Sequence, residues 1–144
     1  MLTRSVQTKT LSILLVVDDW HYRSELQTRL SGGYTVVGEA SSVESAIYLT
    51  AQRHPDLMLL DMELEGGNAI AVLRQLQERQ EKVKPLVLSA HQESSWIHRA
   101  MLAGAQGYII KPQVAQQLEN AITTVSQGNI FLPPNAATPF IQWY

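Results

Sequence analysis

The stretch ILLVVDDW, Ile13 to Trp20, sets five apolar residues directly before two adjacent carboxylates, Asp18 and Asp19. An apolar run without polar alternation reads as a strand covered on both faces, as in a parallel sheet. Neighbouring acids repel, so the pair is either a solvated strand end or half of a cation site. Similar runs recur along the chain. After LSILLVV (Leu11–Val17) come YTVVGEA (Tyr34–Ala40), DLMLLD (Asp56–Asp61), KPLVLSA (Lys84–Ala90) and QGYIIK (Gln106–Lys111).

Helical stripes alternate with these runs. Tyr22, Leu26 and Leu30 share one face; Val43, Ala46, Ile47 and Thr50 another; Ala69, Val72, Leu73 and Leu76 a third. Ile97, Ala100, Met101 and Gly104 form a weaker stripe, and Val114, Leu118, Ala121, Ile122 and Val125 the clearest. Ser41 with Glu44 three residues on has the form of a capping box. Gly32-Gly33, Gly104 and Gly128 stand where helices should stop. Five strand–helix units with right-handed crossovers make an α/β fold, a doubly wound (βα)5 parallel sheet between helices.

The 144 residues suit one domain, and 45% hydrophobic with 17% charged residues is an ordinary globular mix. A net charge of -2 and a pI near 6.1 give no bulk attraction to nucleic acid. The absence of cysteine excludes disulfides, thiolate metal sites and a thiol nucleophile. No segment has the apolar length of a membrane span, and Met1–Thr10 lacks a signal-peptide core, so the expectation is a cytoplasmic protein. The expected organisation is a short extension (1–10), one domain (11–127) and a Pro-rich linker or docking tail (128–144).

Ligands of open parallel sheets bind beyond the carboxyl ends of the strands. There the sequence sets Asp18 and Asp19, then Asp61, then Ser89, then Lys111. Carboxylates with no softer donors nearby suit Mg²⁺, which takes oxygen ligands and keeps several waters. The histidines, His21, His54, His91 and His98, have no metal-binding spacing and read as surface residues. A carboxylate beside Mg²⁺ can attack phosphorus, and a lysine can neutralise the charge. Each of these residues alone would be an ordinary strand end, turn or surface residue. Their joint placement makes the case.

The motifs VVDD, LMLLDMELEGG, LVLSA and GAQGYIIKP, in that order, resemble the receiver domain of bacterial two-component response regulators from Leu11 to about Gln127. The resemblance implies a flavodoxin-like strand order 2-1-3-4-5 and a signalling switch rather than a turnover enzyme. It implies Asp61 as phosphoacceptor, with Asp19 and Asp61 binding Mg²⁺ directly, Asp18 through water, and the Glu63 backbone carbonyl as a further ligand. Ser89 takes the hydroxyl position, Lys111 the lysine position, and Tyr108 that of an aromatic that swings inward on phosphorylation. Lys111–Pro112 would be a cis peptide. Glu65 stands where many members carry proline, implying a looser loop. The implied partners are a sensor histidine kinase, an output domain or downstream protein that controls transcription, and a second copy in a homodimer. GNIFLPP (Gly128–Pro134) resembles a linker to a helix-turn-helix domain. Two rival readings are a haloacid-dehalogenase-type phosphatase, whose second acid would be Glu63, and a receiver that binds partners without phosphorylation.

Overall fold

The computed structural model describes residues 10–133. The extension before them, the tail after them and Trp143 lie outside the described residues.

The strands are β1 (Ser12–Val16), β2 (Thr35–Ala40), β3 (Leu57–Asp61), β4 (Glu63–Leu64), β5 (Gly67–Asn68), β6 (Lys84–Ser89) and β7 (Gly107–Ile110). The helices are α1 (Trp20–Leu30), α2 (Val43–Arg53), α3 (Ala69–Glu78), α4 (Ser94–Leu102) and α5 (Val114–Ser126). The main sheet has five strands in the order β2-β1-β3-β6-β7, each pairing parallel. This is the expected order 2-1-3-4-5 once the small β4–β5 hairpin is set apart.

The apolar runs build the sheet because alternate residues of each strand face opposite helix layers. Leu14, Val16, Met58, Leu60 and Val87 join residues of α2, α3 and α4 in one core. Ile13, Leu15, Leu57, Leu59, Leu86, Leu88 and Ile109 join α1 and α5 in the other. β3 is buried throughout, whereas the edge strand β2 is mostly half-exposed, which accounts for its more polar sequence. Gly107 lets β7 pack closely: a Cβ there would come within 2.5 Å of Leu86 Cδ1 and 3.0 Å of Val125 Cγ2, so these core side chains would have to shift.

Several local expectations shift. The α2 N-cap is Ser42, one residue later than expected, and Ser45 takes the place of a glutamate in the box. Ser42 Oγ accepts from the Ser45 amide at 3.1 Å, and Ser45 Oγ accepts from the Ser42 amide at 3.2 Å. The loop containing Glu65 is not loose. It forms the β4–β5 hairpin, turns at Gly66 with φ of 82°, and bonds through Glu65 to Ser41 and Val43. No cis peptide occurs among the described residues, so Lys111–Pro112 is trans. Pro112 instead stands second in a 3₁₀ turn, Lys111–Gln113, that feeds α5, in a first turn where its fixed φ and missing N–H are harmless.

After α5 the chain returns to the sheet margin. Phe131 forms a parallel bridge to Gly107: its amide donates to Gln106 O (3.1 Å), and its carbonyl accepts from the Tyr108 amide (3.0 Å). No helix among the described residues is long and apolar enough to cross a membrane.

Candidate functional site

The parallel register fixes which strand ends meet. Asp61 closes the central strand β3 opposite Leu88, Ser89 ends β6 one residue farther on, and Lys111 follows β7 directly. Fifty residues apart in sequence, Lys111 and Asp61 touch: Nζ donates to Asp61 Oδ2 at 2.8 Å. The other carboxylate oxygen, Oδ1, accepts from the Glu63 amide at 3.3 Å. Asp61 is only 3% exposed. Burial, the largest influence, raises its pKa above the usual aspartate value, and the Lys111 ammonium pulls the other way.

Asp19 has a structural duty that the sequence reading did not foresee. It is the N-cap of α1, its Oδ1 accepting from the amides of His21 (2.9 Å) and Tyr22 (3.4 Å). Asp18 and Asp19 are both exposed. Arg23 ties this corner together: Nη1 donates to Val17 O at 2.7 Å, and Nε pairs with Glu39 at 2.9 Å.

Ser89 is buried, and its Oγ accepts from the His91 amide at 2.9 Å. Tyr108 is fully buried among α4 and strand residues, its hydroxyl donating to His91 O at 2.9 Å. The aromatic expected to swing inward is thus already inside, and burial raises its pKa. Ser89 and Tyr108 grip the same residue from its two backbone sides.

Sequence reasoning passed over two residues. His91, taken as a surface histidine, is partly covered. Its ring pairs with Glu63 Oε2 (3.1 Å), and it stacks on Trp96 with centroids 4.4 Å apart. The Arg99 guanidinium lies 4.7 Å from the Trp96 ring centroid. Tyr22, assigned to an apolar stripe, has its ring 4.9 Å from Lys111 Nζ. Its pKa is pushed up to about 12, first by burial and then by the Asp61 charge. No signal in the sequence marks His91; the spacing of Tyr22 from Asp19, within the first helical turn, was the available hint.

The donor set suits a hard cation, being carboxylate and carbonyl oxygen at adjoining strand ends. Each carboxylate retains lone pairs beyond the bonds described. The side chains are not preassembled for it: among the described residues no three acidic or histidine groups stand close enough to hold a metal ion. Lys111 and the α1 cap hold the carboxylate oxygens of Asp61 and Asp19 instead.

Residues 13–123 match the response regulator receiver domain model. The chain is 28% identical over 145 aligned residues, 99% of its length, to the transcriptional regulatory protein DegU of Brevibacillus brevis, covering 61% of that protein. It is 35% identical over 102 residues, 71% of its length, to the DNA-binding transcriptional activator DevR/DosR of Mycobacterium tuberculosis, covering 47% of it. The chain therefore spans roughly half to three-fifths of these curated relatives. The crystal structure of a LuxR-family two-component response regulator from an Aurantimonas species superposes with a TM-score of 0.87 at 28% identity, covering 94% of this chain and 98% of that one.

Proposed function

The chain belongs to the response regulator receiver domain family, and from that premise we propose that it is a phosphorylation switch whose acceptor is Asp61. The phosphoryl group comes from a phosphohistidine on a sensor kinase. The single observation that carries this reading is the 2.8 Å contact between Lys111 Nζ and the buried Asp61 carboxylate at the centre of the strand ends.

With a small donor such as acetyl phosphate the step balances simply. An Asp61 oxygen attacks phosphorus, the bond from phosphorus to the acetate oxygen breaks, and acetate leaves with the electron pair. The carboxylate becomes an acyl phosphate, and Asp61 must be ionised to begin. Lys111 is a compact cation at the place where phosphoryl charge arrives. Asp19, Asp61 and the Glu63 backbone carbonyl, with Asp18 through water, would hold Mg²⁺, which would supply further charge neutralisation.

Ser89 and Tyr108 report the event. If Ser89 Oγ turns toward a phosphoryl oxygen, it leaves the His91 amide, and the His91 carbonyl that holds the Tyr108 hydroxyl moves with that amide. The α4–β7 face is thereby repacked, and a partner that distinguishes the two faces reads the signal. Control of transcription through a further domain or partner is the output that the relatives' names suggest. The phosphatase reading lacks support, because residues 13–123 match the receiver family and its required second acid would be Glu63, a largely exposed residue that contacts His91.

Incubation with acetyl phosphate and Mg²⁺ should add one phosphoryl group per chain by intact mass, decaying after the donor is removed. A chelator should stop the gain; undiminished labelling in chelator removes the metal from the scheme. Continuous release of phosphate from many organic phosphates would favour the phosphatase instead. Ser89→Ala should erase the amide chemical-shift changes in α4 and at Tyr108 that the phosphoryl mimic beryllofluoride produces. Equal changes in both proteins would rule out the relay.

A further inference from the structure

We infer that Tyr22 is a positioning residue for phosphoryl transfer: its ring face holds the Lys111 ammonium in place against Asp61. The inference rests on the proposed chemistry at Asp61 and adds a component to it.

Lys111 needs such a support. Its side chain is 31% exposed, and it sits in a short 3₁₀ turn rather than within a strand or long helix. A lysine stem has four rotatable bonds and loses much freedom when its end is fixed. Two contacts define where the ammonium stands: Asp61 Oδ2 at 2.8 Å and the Tyr22 ring at 4.9 Å. The first changes in the reaction, because Asp61 becomes an acyl phosphate. The second does not, so the ring is the constant half of the Lys111 seat. A cation within about 6 Å of a ring centroid is attracted by the electron-rich face, more strongly when water is partly excluded.

Tyr22 is itself well fixed. Asp19 caps α1 through the amides of His21 and Tyr22, so one member of the acidic pair fixes the backbone from which the ring projects. The side chain is partly buried and packs against the core shared by Leu26, Leu30 and α5. Asp61 lies near enough for its charge to act on the phenol. The series Asp19, Tyr22, Lys111, Asp61 thus links the end of β1 to those of β7 and β3, through the Tyr22 backbone amide and then through side chains.

The test is the pseudo-first-order rate of labelling by acetyl phosphate at fixed Mg²⁺, in the full chain. Tyr22→Leu keeps apolar bulk but has no ring face, and should slow labelling about five-fold, the equivalent of ~1 kcal/mol. Tyr22→Phe keeps the face and should restore the rate. In a Lys111→Ala background Tyr22→Leu should add little, because the two residues act as one unit. If Tyr22→Leu fails to fold by circular dichroism, Tyr22→Met replaces it with an unbranched chain of similar volume. Native labelling by Tyr22→Leu overturns the inference, as does equal slowing by Tyr22→Phe or an undiminished Tyr22→Leu effect without Lys111. A native chain that takes no label overturns the acceptor assignment as well, so the two failures are distinguishable.

Discussion

Asp61→Asn should abolish labelling by acetyl phosphate and, at neutral pH, should be more stable than the native chain. The first half follows because the amide is no nucleophile toward phosphorus, while shape and volume are kept. A residual gain of one phosphoryl by intact mass would place the acceptor elsewhere. The second half follows from the raised pKa of Asp61. A group that binds its proton more tightly in the fold than in the unfolded chain opposes folding when ionised. That opposition is absent below the ordinary aspartate pKa of about 3.9. It grows as pH rises through the folded value and is complete above it. The melting temperature of Asp61→Asn should therefore exceed that of the native chain at neutral pH, and the gap should close in acid. A less stable Asp61→Asn chain at neutral pH would mean that the Lys111 pair outweighs burial. A site whose acid opposes folding is one where stability has been exchanged for chemistry.

Leu59→Ala should lower the unfolding free energy by about 2–5 kcal/mol, read from urea titration. Leu59 is fully buried: it is 0% accessible in the central strand, level with Leu15 on β1 and Leu86 on β6. Its removal opens a cavity where α1 and α5 meet the sheet, a layer held by strand residues on both sides that cannot easily collapse. Against a typical domain stability of ~5–15 kcal/mol this is a large share. The melting temperature should fall by on the order of 10 °C. Leu59→Met, which nearly conserves volume, should lose less than about 1.5 kcal/mol. Equal losses in the two variants would mean that cavity formation is not the cause.

The layered sheet was legible because four of the five main strands are apolar on both faces, which only a sheet between two helix layers permits, while the order of its strands followed from the resemblance of the motifs. The Lys111–Asp61 contact was legible for the same reason: strand ends in a parallel sheet gather on one side. What escaped were features set by backbone detail. Ser41 and Ser42 are equally good caps in isolation, and the bridge between Ser42 and Glu65 decides for the second. The β4–β5 hairpin has two residues per strand, too few for a period to register. His91 acquires its place only when Ser89 and Tyr108 close on its backbone. Tyr22 fitted the apolar stripe of α1, and periodicity cannot distinguish a ring that fills a core from one that also faces an ammonium.

The bridge at Phe131 gives the margin of the sheet a mechanical character. The amide of Tyr108 is tethered to the segment leaving α5, while the phenol of the same residue is tethered to His91. Tension on the chain beyond Phe131 would be borne first by that amide, so Tyr108 is strung between the segment that follows α5 on the outside and the loop containing His91 on the inside.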